Sequence, residues 1–334
     1  MSFKKILGHE EVIRLLKGQI AKERMAQTYL FAGPSGIGKK TLAIELTKAL
    51  ECQEARGGEV CDGCESCMKI GQGTFPDVLF LSPDAEVSQK KRGGEAVPRL
   101  SGQMGIDQIR TLGNWMALKP FGDRWKVGIV DQADRLTEEA AHACLKFLEE
   151  PPEKCIVVLI AAAPQRLPQT LLSRCHLVRC APQGIERVAA YLKERERLDS
   201  IQSTLLATWA GGRLGVALEF HRENRLAQKN EALNQLLSAW RKKILELPLG
   251  TAPRRELEET LEWWAAWWRD LLVLKLGGDP AWVIHQDRLD ELKQIRESLP
   301  LETLLDSVER TYRVQEAIQR NASPRMALAA LLSH

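Results

Sequence analysis

The chain has 334 residues, 44% of them apolar and 27% charged, and its 47 Lys and Arg against 44 Asp and Glu leave a net charge of +3. That leaves room for about two or three globular domains and excludes a disordered or fibrous chain. Charge so nearly balanced also excludes strong whole-molecule attraction to nucleic acid, so any contact with DNA must come from a local patch or an assembly.

Residues Met1–Glu10 lack the apolar core of an export signal, and the longest apolar run, Ile156–Ala163, is far too short to span a bilayer. A cytoplasmic protein without a membrane segment is expected. Short apolar runs predict buried strands at Thr28–Ala32, Val78–Leu81, Lys126–Val130, Ile156–Ala161 and His176–Cys180. Helical periodicity lies between them at Thr41–Leu50, Ile106–Leu118 and Thr137–Leu148. Strands alternating with helices predict an α/β domain with a parallel sheet covered on both faces. The Thr137 helix carries its own punctuation: Thr137 as cap, Glu138 and Glu139 at the positive dipole end, and Pro151–Pro152 as stop.

Between the first strand and its helix stand Gly33, Pro34, Ser35, Gly36, Ile37, Gly38 and Lys39, spaced as GxxxxGK. Glycines there let the backbone wrap a phosphate chain, and Lys39 reaches the outer phosphates. The bland alternative is a glycine-rich turn with a chance lysine. A magnesium-binding hydroxyl belongs directly after Lys39, but Lys40 occupies that place and Thr41 follows one position late. An ammonium repels a cation, which argues against productive magnesium binding. Asp131 ends the Lys126–Val130 strand, where a second magnesium ligand would sit. The next residue, Gln132, cannot act as a base, and Asp134 reads as a solvated loop acid or a helix-start acid.

Four of the eight cysteines, Cys52, Cys61, Cys64 and Cys67, fall within one short segment. Four thiolates suit a closed, tetrahedral and therefore structural Zn²⁺ site, with an iron–sulfur cluster or free thiols as the alternatives. The module is expected to lie outside the sheet core. Cys144, Cys155, Cys175 and Cys180 are scattered in apolar surroundings and read as small buried hydrophobes.

Residues 82–103, including the basic stretch 90–94, read as a loop; the basic stretch is either solvated or a contact to DNA phosphate. Strand signals end near Ala181–Pro182, and amphipathic helices follow, punctuated by Gly211–Gly212, Pro248–Gly250, Gly277–Pro280 and Pro300. Trp263, Trp264, Trp267 and Trp268 form a stripe at helical spacing, either a core or subunit face or a base-stacking surface. No internal repeat is present.

Four stretches resemble the bacterial replicative clamp-loader family: Gly33–Thr41, the Cys52–Cys67 quartet placed after the phosphate-loop helix, Leu145–Pro152 and Leu167–Cys175. Asn321–Pro324 and Leu328 look like the end of that family's collar. The resemblance implies an AAA+ P-loop domain over 1–180 with the zinc module at 52–67, a helical lid over 181–223 and a helical collar over 224–334. It implies that Arg174 projects as an arginine finger into a neighbour's ATP site; judged alone, Arg174 would be a surface arginine. A working subunit of the family carries a polar sensor where this chain reads Ala161-Ala162-Ala163, and a lid arginine where it has Gly215, with Arg213 two residues away. With Lys40 and Gln132, these departures imply a stator-like subunit whose degenerate loop has room for ATP or ADP without hydrolysing it, within a DNA-directed DNA polymerase holoenzyme. The implied partners are delta and gamma/tau subunits in a hetero-pentamer, the sliding clamp and primer-template DNA. A catalytically active gamma/tau-type ATPase and a nucleotide-gated adaptor outside replication are the alternatives. The absence of segments beyond the collar agrees with the first reading.

Overall fold

The computed structural model describes residues 3, 6–55, 59–83, 102–121, 124–242, 254–320, 322–323 and 326–327. The basic stretch 90–94, Pro248–Gly250, Asn321, Pro324 and Leu328 lie outside the described residues. The chain divides into two compact units: Met1–Gln183 with Arg213–Gly215, and Gly184–Gly212 with Val216–His334.

The first unit runs α1 (Glu10–Ala21), β1 (Thr28–Ala32), α2 (Lys39–Glu51), α3 (Glu65–Gln72), β2 (Val78–Leu81), α4 (Ile106–Met116), β3 (Lys126–Val130), α5 (Glu138–Glu149), β4 (Cys155–Ala161), α6 (Gln169–Leu172) and β5 (His176–Arg179). Among the described residues the strands form one parallel sheet in the order β2-β3-β4-β1-β5. All five residues of β1 and of β3 and all seven of β4 are buried, as a sheet covered on both faces requires. The two-residue period sorts them. Tyr29, Phe31, Ile129, Ile156 and Val158 pack toward Leu16, Leu42 and Leu46. Leu30, Ala32, Val130, Val157 and Leu159 face Ile109, Leu112, Ala140 and Leu148. Burying each such Leu or Ile contributes about 1.5–3 kcal/mol.

The expected punctuation of α5 is present: the Thr137 hydroxyl accepts the Ala140 N–H at 3.2 Å. At α4 the Gln108 side chain turns back to accept the Gly105 N–H at 3.1 Å. The scattered cysteines are inert by environment. Burial pushes the Cys144 and Cys175 thiols up to about 12 and Cys180 up to about 11.

The second unit carries α7 (Ile185–Arg195), α8 (Ser200–Trp209), α9 (Leu214–Arg222), α10 (Arg225–Lys242), α11 (Arg254–Lys275), α12 (Leu289–Ser298) and α13 (Leu301–Gln319), with α9 beginning at the edge of the first unit. Its core gathers Leu233, Leu236 and Leu237 of α10, Leu261, Trp264, Trp267 and Leu271 of α11, and Leu304, Val314 and Ile318 of α13. All four tryptophans of the α11 stripe are buried, and the Trp264 indole N–H donates to the Ala232 carbonyl at 3.0 Å. A base-stacking platform is thereby excluded, because stacking needs open ring faces.

Polar anchors lock this core. Fully buried Asp270 accepts the backbone N–H groups of Ile284 (3.1 Å) and His285 (2.8 Å), and meets His285 Nδ1 at 2.8 Å. The Lys229 ammonium, without solvent exposure, reaches Asp287 at 2.5 Å. Charges this deep persist only when paired, which fixes how the 284–287 segment lies against α10 and α11. Among the described residues no helix is long and apolar enough to cross a membrane.

Candidate functional site

Parallel pairing sets β1 and β3 on either side of β4, so their carboxyl ends open on one edge of the sheet. Ligands of open α/β sheets bind there. Residues Gly33 to Gly38 leave β1, and Lys39 opens α2. Gly33, Gly36 and Gly38 take φ values of +152°, +78° and +96°, conformations that an L side chain rarely adopts. At Gly33 a Cβ would also lie 2.1 Å from the Cys180 carbonyl oxygen. The loop therefore presents backbone rather than side chains at the start of α2, the arrangement that accepts phosphate.

Lys39 is buried and donates to the Gly33 and Pro34 carbonyls at 2.5 and 2.6 Å. Burial lowers its ammonium from the ordinary value, while the nearby carboxylates of Asp131 and Asp134 oppose that shift. His9, which belongs to no motif, is buried against the same loop with Nε2 2.9 Å from the Ile37 carbonyl. Its only signal in the sequence is the Gly8-His9 pair ahead of α1, both in the left-handed region.

The magnesium half of the site is displaced. Lys40 Nζ lies 3.9 Å from Asp131 Oδ2 and 4.4 Å from the centre of the Phe80 ring. Asp131 Oδ1 accepts the Gln132 N–H at 3.0 Å. Magnesium wants oxygen ligands in a tight octahedron, and here an ammonium stands beside the carboxylate that would supply one. The residues present do not fit a magnesium ion.

Asp134 is the helix-start acid of the two expected alternatives, not a solvated loop acid. In a 3-10 turn, Ala133–Arg135, it accepts the N–H groups of Ala162 and Ala163 at 3.1 and 3.2 Å. Its carboxylate is thus committed to holding the end of β4, where the three alanines present no polar side chain. Gly215 donates its N–H to the Gly36 carbonyl at 2.7 Å, and a Cβ there would lie 2.7 Å from that oxygen. No side chain can project from position 215 in this arrangement.

Arg174 follows α6 on a half-exposed surface. Its Nη1 donates to the Thr170 carbonyl at 2.8 Å, and Nη2 pairs with Glu149 at 2.8 Å. Glu149 ends α5, inside the segment that precedes Pro151–Pro152.

Away from this edge, the Sγ atoms of Cys52, Cys61, Cys64 and Cys67 all lie within 4.8 Å of one another. The Cys52–Cys61 and Cys52–Cys64 separations are 3.6 and 4.0 Å. A tetrahedral ion with about 2.3 Å metal–sulfur bonds would set sulfurs about 3.8 Å apart. The N–H groups of Gly63 and Cys64 point at Cys61 Sγ at 3.4 and 3.2 Å, and that of Cys61 points at Cys52 Sγ at 3.5 Å. Burial pushes the Cys64 thiol up, but backbone N–H groups of Cys67 and Gln53 and the neighbouring Cys67 and Cys61 thiols outweigh it, bringing it down to about 7. Donors aimed at sulfur thus favour a thiolate at Cys64, whereas the Cys61 and Cys67 thiols are pushed up; it is the closeness of the four sulfurs that lets the cluster hold a metal ion such as zinc. One expectation needs correction. Cys52, Val60 and Cys67 pack in the same core as Leu46, Leu50 and Ile129, so the module is part of one sheet face rather than outside it.

Residues 8–184 match the family model described as DNA polymerase III, delta subunit, and residues 223–332 match DNA polymerase III, delta subunit, C terminal. The delta' subunit of Bacillus subtilis DNA polymerase III is 28% identical over 296 residues, covering 85% of this chain and 82% of that one. The tau subunit of the same organism is 25% identical over 97% of this chain, which spans 59% of tau's length. Among solved structures, a gamma subunit-related protein of Thermotoga maritima covers 96% of this chain and 97% of its own, with 19% identity and a TM-score of 0.41.

Proposed function

The chain belongs to the delta-subunit family of DNA polymerase III, a family of clamp-loader subunits, and from that premise we propose that it is the delta-prime member: a subunit that hydrolyses no ATP itself and lends Arg174 to a neighbour. The observation that carries this reading is the Gly215 amide seated on the Gly36 carbonyl, which puts backbone where a lid arginine would have to stand. Lys40 beside Asp131, Gln132 in place of a base and the alanine end of β4 each remove a further part of the chemistry. The 33–41 loop keeps the backbone cradle and Lys39, so it holds ATP or ADP without turning it over.

In this proposal α7 to α9 form the lid over 181–223, and the helices from α10 onward form the collar over 224–334, which joins delta and gamma/tau subunits in a hetero-pentamer. The assembly opens a sliding clamp and places it on primer-template DNA. The cysteine quartet holds one structural Zn²⁺, because four sulfurs close the coordination sphere and leave no position for a substrate. Similarity to tau over 97% of the chain favours one rival, an active gamma/tau-type ATPase.

Mixing this chain with cognate delta and gamma/tau subunits tests the assignment. A single complex containing every subunit is expected by size-exclusion chromatography with native mass spectrometry. A chain that stays apart from both partners would contradict it.

A further inference from the structure

We propose that the Lys40 ammonium takes the place of the magnesium ion at the phosphate loop, so that this chain binds a nucleoside triphosphate free of metal. The inference rests on reading the 33–41 loop as a nucleotide site and goes further by naming the form of the ligand.

Three elements converge on this ammonium. Lys40 lies in the first turn of α2, Asp131 follows β3, and Phe80 lies on β2, whose register sets it beside Ile129. Lys40 Nζ sits 3.9 Å from Asp131 Oδ2 and 4.4 Å from the Phe80 ring centre. A carboxylate and an aromatic face both attract a cation, which defines a cation position at the sheet edge. The lysine is tethered there and half exposed, and an ammonium has three donors. Its contact with Asp131 is long, and donors remain to meet phosphate oxygens. Lys39 supplies a second positive charge from inside the loop, held by the Gly33 and Pro34 carbonyls. Two fixed ammonium groups thus oppose the triphosphate charge. A divalent ion entering the same space would meet Lys40 as a like charge and would find Asp131 already engaged.

The full-length chain is titrated with a fluorescent ATP analogue in magnesium chloride and again in EDTA. The native chain is expected to show affinities within about twofold in the two buffers. Lys40→Thr, which restores a hydroxyl and removes the ammonium, is expected to bind about tenfold or more weakly in EDTA and to recover with magnesium. Lys40→Ala, with neither group, is expected to bind weakly in both. Native binding that requires magnesium would overturn the proposal, and so would a Lys40→Thr chain as indifferent to magnesium as the native one. Absence of binding in every variant would instead strike the nucleotide-site reading itself. The Lys40 side chain is half exposed and its long contact with Asp131 is weak, so thermal melts of the variants should match the native chain. Should Lys40→Thr fail to fold, the native comparison between buffers still decides.

Discussion

In a clamp loader assembled from native partners, replacing Arg174 of this chain by alanine is expected to slow the one ATP site it serves by about 10³–10⁵-fold. In the proposed role the guanidinium neutralises charge that develops on the transferred phosphoryl group, a fixed positive charge that water in its place does not supply. Other sites in the assembly retain their own arginines, so total DNA- and clamp-stimulated turnover falls in part rather than to zero. Arg174→Lys should rescue poorly, because an ammonium keeps the charge and loses the planar fork. Folding is not at risk in either variant. The Arg174–Glu149 pair is surface-exposed on both sides, and such pairs contribute about 0–1 kcal/mol. Turnover compared at equal assembly provides the check. An unchanged rate in Arg174→Ala would leave Arg174 as one half of a surface ion pair.

Removing the metal is expected to cost more stability than a detached loop would. Structural zinc contributes about 10–16 kcal/mol of apparent binding energy in small metal modules. Here Cys52 and Cys67 of the quartet belong to the core that covers one face of the sheet. Lys48 of α2, paired with Glu45 and Asp62 at 2.9 and 3.0 Å, further ties the quartet's loop to that helix. Cys64→Ser should therefore lower the melting temperature of the sheet unit as well as loosen residues 52–67, with a loss above about 4 kcal/mol. Elemental analysis should find one zinc per native chain and markedly less in Cys64→Ser. Native protein without zinc, or with iron and visible absorbance, would contradict the assignment.

The sheet was legible because β1, β2 and β4 are apolar almost throughout and β3 is apolar but for Lys126 and Gly128, and because Pro151–Pro152 and Thr137 mark a helix with local chemistry. The observed strands keep those positions, except that β4 starts one residue earlier at Cys155 and β5 ends one residue earlier at Arg179. The phosphate loop and the cysteine quartet were legible for a similar reason: their residues are neighbours in the chain. What stayed hidden depends on partners far along it. Asp134 read only as a solvated loop acid or a helix-start acid because nothing near it in sequence reveals that Ala162 and Ala163, 28 and 29 residues on, donate to its carboxylate. His9 finds its partner in Ile37, and Gly215 finds its own in Gly36. The tryptophan stripe showed that one face of α11 would be used. Only packing against α10 and α13 shows that it is filled by the unit's own core.

The proposed subunit keeps a nucleotide cradle and lacks the hydrolytic machinery around it. Phosphate release from ATP by the purified chain alone, with and without primed DNA, tests this most directly when Lys39→Ala is measured beside it. The native chain and Lys39→Ala are both expected to remain at the background of a no-enzyme control. Turnover by the native chain that Lys39→Ala abolishes would contradict this expectation and would make the chain an active ATPase of the gamma/tau type.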